Sequence, residues 1–339
     1  MRPLSQGGRA ARADDLDDAR VDALLAPLAG RSLLLAVSGG PDSTALLVMA
    51  AEWAARGRAA RLAAATVDHR LRAESAAEAD QAAALARRLG VPHATLVWAG
   101  AKPASRLMER AREARYRLLV DRARAIRADA IVTAHHADDQ AETVLFRLLR
   151  GSSLKGLAGM AAMSKRDGLM LARPLLGCPK RALVAFCRAR GVPFVADPTN
   201  AEPAYARARL KPLLAALAAE GFDAQGFARL ARRMGEADEA LERTAAGVEA
   251  RVGSQDLLDA CALAAEPIAL VERILLRRIA AAGGRAGSRI GLEKVEALAA
   301  ALVAAAGAGR ALRANVGGAL VRLTAKGALS FAPEPPRRQ

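Results

Sequence analysis

Apolar and polar positions in the first half of the chain fall into short blocks of two kinds. Residues 33–37, Leu-Leu-Leu-Ala-Val, form an unbroken apolar run, the pattern of a strand buried on both faces. Further strands are predicted at 63–67, 93–98 and 129–133. Between them lie stretches with helical character, at about 44–53, 75–89, 106–126 and 138–149, with Gly90 stopping the second. Strand and helix in alternation predict an α/β fold, a doubly wound parallel sheet covered by helices on both faces. Ligands of such sheets bind beyond the carboxyl ends of the strands. Charged clusters follow the strands that end near Val37, Val67 and Thr133, which puts all three on one edge.

The pattern then changes. Residues 151–177 read as loop-rich, with a turn at 165–168, and 179–190 predict a helix closing at Gly191. A turn at 197–200 precedes a basic helix around Arg207, Arg209 and Lys211. Beyond Gly221, helices are predicted at 228–252, 267–282 and 292–305. Residues 311–331 alternate around Gly317-Gly318 and Lys326-Gly327, the pattern of a small antiparallel meander. The organisation read from this is an N-terminal extension (1–25), an α/β catalytic domain (26–221) and a smaller, mainly helical domain (222–339). The last ends in the β-meander and a tail.

Composition sharpens the picture. A formal charge of +16 and a pI near 11.0 favour a polyanionic partner, most simply nucleic acid. An excess of arginine and alanine, with codon bias behind it, is the bland alternative. Cys178, Cys187 and Cys261 make no CxxC pair and lack zinc-site spacing, so reduced thiols in a cytoplasmic protein are expected. Asp14, Asp15, Asp17 and Asp18 follow the early arginines and argue against a transit peptide. The longest apolar stretch, 297–309, is too short to cross a bilayer of ~30 Å, so no membrane association is expected.

Three segments carry candidate chemistry. Ser38, Gly39, Gly40, Pro41, Asp42 and Ser43 stand between a buried strand and a helix. The glycines allow close backbone approach, successive amides at a helix start point at an anion, and both serines add hydroxyl donors. No lysine follows, so this is not the Gly-x-x-x-x-Gly-Lys-Ser/Thr loop. After the second strand come Asp68, His69, Arg70 and Arg72, a set able to bind nucleotide or RNA phosphate. After the fourth come His135, His136, Asp138, Asp139 and Glu142. A helix starting near His135 would put His135, Asp139 and Glu142 on one face, suited to Mg²⁺ or a substrate ammonium. Acidic residues at a helix start also suit the dipole without any ligand. Arg112 and Arg115 share a helix face, alone no more than a solvated one.

The loop resembles the signature loop of the N-type ATP pyrophosphatases, which cleave ATP between the α- and β-phosphates and adenylate a substrate. With Val-Asp-His-Arg-Leu-Arg (67–72), Ala-Arg-Glu-Ala-Arg-Tyr (111–116), Thr-Ala-His-His-Ala-Asp-Asp-Gln-Ala-Glu-Thr (133–143), Gly-Leu-Ala-Gly-Met (156–160), Arg-Pro-Leu-Leu (173–176) and Asp-Pro-Thr-Asn (197–200) in order, the set resembles the tRNA(Ile)-lysidine synthetases. The likeness covers about residues 30–215. One departure is Arg207-Ala208-Arg209, where the family carries Arg-Asn-Arg.

The resemblance implies a ligase that uses ATP and Mg²⁺ to join free L-lysine to C2 of the wobble cytidine in the CAU anticodon of isoleucine tRNA. It implies ATP contacts at residues 38–43, Asp68 and His69, with Asp42 also a Mg²⁺ ligand. It makes Asp42, Arg112, Arg115, His135, His136, Asp139 and Glu142 catalytic candidates, and Arg70, Arg72, Arg207, Arg209 and Lys211 tRNA contacts. Two other readings stay open. Against a tRNA thiolase of the same superfamily stands the missing CxxC pair. Against an inactive tRNA-binding protein stand the intact loop and acidic cluster. The sequence sets no oligomeric state and leaves a homodimer open.

Overall fold

The computed structural model describes residues 16–71, 75–100, 102, 105–195, 208–254, 256–284 and 290–335. Arg72, Arg207 and the 197–200 turn lie outside these residues.

The first six strands are β1 (Ser32–Ala36), β2 (Arg61–Asp68), β3 (His93–Val97), β4 (Ala130–Val132), β5 (Met163–Arg166) and β6 (Leu169–Ala172). The first eight helices are α1 (Asp18–Leu25), α2 (Pro41–Ala55), α3 (Ser75–Arg88), α4 (Leu107–Ala125), α5 (Ala137–Leu148), the short α6 (Leu154–Leu157), α7 (Lys180–Ala189) and α8 (Lys211–Ala219). The strands form one sheet in the order β3-β2-β1-β4-β6-β5. All neighbours are parallel except β5, which runs antiparallel to β6 at the edge.

The apolar run of β1 has a direct cause. Leu33 and Leu35 pack into the core built with α1, α2, α3 and α7, while Leu34 points into the opposite core with Tyr116, Leu119 and Val120 of α4. Both faces are covered, so every position must be apolar. Val21 and Leu25 of α1 belong to the first of these cores. β1 pairs with β2 on one side and β4 on the other. Strand order therefore reverses between β1 and β4, and their carboxyl ends open the crevice where such sheets bind ligands.

The stretch 151–177, read as loop, is corrected in part. The turn at 165–168 joins β5 to β6, a hairpin hidden because Met163-Ser164-Lys165-Arg166 is a half-exposed edge strand with no apolar run. The basic segment is also revised: a 3₁₀ turn, Ala208–Leu210, leads into an apolar α8. Leu210 packs against Ala141, Val144 and Leu145 of α5, so Arg209 and Lys211 are anchored beside that helix.

The chain divides into two compact units, residues 1–152 with 156–232, and 153–155 with 233–339. The later elements are α9 (Ala224–Val252), β7 (Leu257–Asp259), α10 (Ala260–Ala264), α11 (Ile268–Gly283), α12 (Leu292–Gly307), β8 (Leu312–Val316), β9 (Ala319–Leu323) and β10 (Ala328–Pro333). The meander expected at the end is present and gains β7 as a fourth strand, in the order β7-β10-β9-β8. Its inner face packs on α11 and α12 through Ile279, Leu302, Val321 and Leu329. No helix among the described residues is long and apolar enough to cross a membrane.

Candidate active site at the carboxyl edge of the sheet

The loop after β1 is held by its own side chains. The Ser38 amide donates to Ser43 Oγ at 3.0 Å, the two serine hydroxyls lie 3.1 Å apart, and Ser43 Oγ donates to the Gly40 carbonyl at 3.1 Å. Gly39 turns the chain with φ +85°, a conformation that L side chains rarely adopt. Its carbonyl accepts from Val195 N at 2.9 Å. Gly40 is the N-cap of α2 and Pro41 follows at the first helical position, where its missing N–H costs nothing. No side chain caps α2. Its first amides are left as donors at the positive end of the helix dipole, an arrangement that suits phosphate.

Asp42, in the first turn of α2, faces two cations. Its Oδ2 lies 3.4 Å from His136 Nε2 and 3.6 Å from Lys180 Nζ. Its Oδ1 is buried without a hydrogen-bond partner. His136 is itself buried and caps α5: the Asp138 amide donates to His136 Nδ1, and Asp139 Oδ2 accepts from the His136 amide at 3.1 Å. Burial opposes a charge on His136. Asp138, Asp42 and Asp139 outweigh it, and the imidazole pKa is pushed up to about 10. The backbone bond into Nδ1 at 3.2 Å suits the neutral ring. The carboxylates prevail, because charge-assisted contacts are roughly twice as strong as neutral ones.

α5 starts at Ala137, one residue after the cap. His135 therefore precedes the helix, and the face expected for His135, Asp139 and Glu142 holds only for the two carboxylates, one turn apart. His135 Nδ1 instead pairs with Thr133 Oγ1 at 2.8 Å. Asp138 Oδ2 lies 3.6 Å from His136 Nδ1 and also accepts from the Lys180 amide at 2.8 Å, which ties the start of α5 to the start of α7. Burial resists charge on Asp138, yet His136 and the Lys180 amide hold its pKa below the ordinary value.

A second group lies where β2 ends. Asp68 Oδ1 accepts from the Arg70 amide at 2.8 Å and from Ser75 Oγ at 2.7 Å, so it organises the turn into α3. His69 Nε2 accepts from Arg115 Nε at 3.2 Å, and its ring meets Trp98 edge-on at 5.9 Å. Burial, then the charges of Arg115 and Lys102, push His69 down to about 4. Arg112 sits over the Tyr116 ring, 5.4 Å from its centroid.

Sequence reasoning missed Lys180. The available signal was a cation in the first turn of a helix, against the helix dipole. Among the described residues, no three or more His, Cys, Asp or Glu side chains form a self-sufficient metal cluster. Two of the thiols are poor candidates for chemistry. Cys178 and Cys187 are buried, and burial, then the nearby Asp42 charge, push the Cys187 thiol up to about 11.

An uncapped helix start at the strand-order reversal, with a carboxylate and two cations at its mouth, is the construction of a nucleotide-using α/β protein. Residues 14–217 match the family model of the PP-loop domain, an ATP-using domain. The chain is 48% identical over 332 residues to a tRNA(Ile)-lysidine synthase of Methylobacterium nodulans, covering 94% of this chain and 95% of that one. A tRNA(Ile)-lysidine synthase of a Bradyrhizobium species is 46% identical, with 95% of each chain covered. The chain belongs to the tRNA(Ile)-lysidine synthase family. A solved U34-tRNA thiolase of Methanococcus maripaludis shares the fold at 16% identity, with a TM-score of 0.56 over 64% of this chain and 77% of that one.

Proposed function

We propose that this chain joins the ε-amine of free L-lysine to C2 of the wobble cytidine in the CAU anticodon of isoleucine tRNA, at the expense of ATP. The carrying observation is the meeting of the uncapped α2 start, Asp42 and the His136–Asp139 pair, in a member of this family.

The triphosphate lies over residues 38–43, against the free amides of α2. The cytidine O2 attacks the α-phosphorus and pyrophosphate leaves. The adenylated base then carries AMP as a leaving group at C2, and the lysine amine displaces it. The His136 cation faces the loop and offsets negative charge there. Asp42, with one buried oxygen free of hydrogen bonds, is the residue that would hold Mg²⁺, which takes only one or two protein carboxylates at such sites. Bound there, Mg²⁺ would neutralise charge on the leaving pyrophosphate. Arg70, Arg209 and Lys211, all exposed, supply cations for the tRNA backbone. The base must leave its stack to reach the loop.

Free lysine has a side-chain pKa of about 10.4, so only about one amine in 10³ is neutral at pH 7. A carboxylate that binds the ammonium and takes its proton during attack removes that obstacle. Asp139 and Glu142, one turn apart on α5, are assigned this role.

The test separates the two steps in a single turnover with α-labelled ATP and labelled lysine. Asp139→Asn and Glu142→Gln should still form adenylated tRNA, with lysine transfer slowed on the order of 10²-fold or more at the responsible position. If both variants complete both steps at the unmodified rate, the carboxylates are not the amine site. If adenylation itself fails, they serve the metal instead.

A further inference from the structure

The loop of residues 38–43 contains no lysine, although a triphosphate brings several negative charges to it. We propose that Lys180, the first residue of α7, supplies this cation from a distant part of the chain and binds the β- and γ-phosphates of ATP and the pyrophosphate that leaves. The inference rests on the ATP reading above and assigns a phosphate-binding residue outside the loop.

Lys180 Nζ lies 3.6 Å from Asp42 Oδ2, a carboxylate in the first turn of α2. The ammonium thus stands at the mouth of the loop, beside the amides that α2 leaves uncapped. At that distance it makes an ion pair with Asp42 but no hydrogen bond. Its side chain is 42% exposed, and an ion pair of this kind adds little to stability. Binding of the fold is thus a weak reason for the residue, and the ammonium stays accessible to an arriving anion.

Its position on the helix points the same way. The first turn of α7 has no acidic residue, and Lys180 and Arg181 both fall in it. Positive charge at a helix start opposes the dipole. Local choices that work against the fold are expected where function imposes them. The backbone of Lys180 is held in place by the Asp138 carboxylate at 2.8 Å, and the Cys178 carbonyl just before it accepts from the Ala137 amide at 2.9 Å. The two bonds fix the start of α7 against the start of α5, and so aim Lys180 at the site. With a triphosphate present, Lys180 exchanges Asp42 for phosphate oxygens. Asp42 keeps His136, whose Nε2 approaches the same oxygen at 3.4 Å.

Calorimetric titration of the full chain tests the assignment, with α,β-methylene-ATP and AMP as probes. Lys180→Gln should weaken the triphosphate analogue about tenfold or more, the size of a lost charge-assisted contact. AMP, which lacks the outer phosphates, should bind as in the unmodified chain. Inhibition by added pyrophosphate should weaken in parallel, and Lys180→Arg should restore most of the loss, because a guanidinium also binds phosphate. Equal loss for both probes would mean a structural role, and unchanged binding of both would mean a surface ion pair. Either result overturns the proposal. An unmodified chain without ATP-dependent lysine transfer would instead sink the functional reading beneath it.

Discussion

His69 carries a testable cost of burial. Its pKa is held at about 4 in the folded chain, by burial first and then by Arg115 and Lys102, against an ordinary 6.5. Between pH 6.5 and 4 the unfolded chain takes up a proton at this ring and the folded chain does not. Stability then rises with pH across that window and is lost as the pH falls through it. His69→Gln should show a shallower fall in melting temperature from pH 6.5 to 4 than the unmodified chain. Parallel curves would show that His69 is not held neutral. Two adjacent acids, Asp138 and Asp139, show what the sequence could not settle at this scale. Both sit at the start of α5, and the spacing favours Asp139 over Asp138 without saying what either one touches. The structure gives Asp138 to the Lys180 amide and Asp139 to the cap at His136. The difference depends on α7, some forty residues further along, which no local pattern encodes.

Elements were legible where burial writes a period into the sequence. β1 and β4 announce themselves because both faces are covered, and α9, α11 and α12 because one face is apolar. β5 and β7 were not, since Met163-Ser164-Lys165-Arg166 buries no residue and Leu257–Asp259 buries only its middle one. Polar pairing between helices is invisible in the same way. Arg273 of α11 reaches Asp238 of α9 at 2.5 Å and Glu242 at 3.1 Å, while Arg277 bonds Glu242 at 3.0 Å. The Arg273 and Asp238 side chains are each only 17% exposed. Burial lowers the Arg273 pKa and the two acids more than restore it, so the folded chain holds the cation above its ordinary value. Arg273→Ala should cost about 2–3 kcal/mol in urea unfolding, because it leaves a half-buried carboxylate without its partner. Arg110→Ala, which removes an exposed pair with Glu113, should change stability by no more than ~0.5 kcal/mol. Equal effects of the two substitutions would count against the α9–α11 network.

At the scale of the whole molecule the charge of +16 makes a prediction about tRNA. Each phosphate that a lysine or arginine neutralises releases counterions, so affinity should fall linearly with salt on a double-logarithmic plot. Filter binding between 50 and 200 mM salt, with five to ten phosphate contacts, should show a loss on the order of 10²- to 10⁵-fold. A slope near zero would leave the charge without a nucleic-acid role.

The pairing of β1 with β4 has a consequence for how the chain comes off the ribosome. The Ser32 amide donates to Asp129 Oδ2, 97 residues further along. At ordinary rates of synthesis that separation takes roughly 5–20 s. For that interval β1 is finished but lacks its neighbour on one side, and Leu33, Leu34 and Leu35 have only part of their cover. The phosphate loop emerges early, yet His136 and Lys180 arrive last. The complete set of phosphate-facing groups therefore assembles only after α7 has emerged. The exposed side of β1 in that interval is where a chaperone would be expected to hold it.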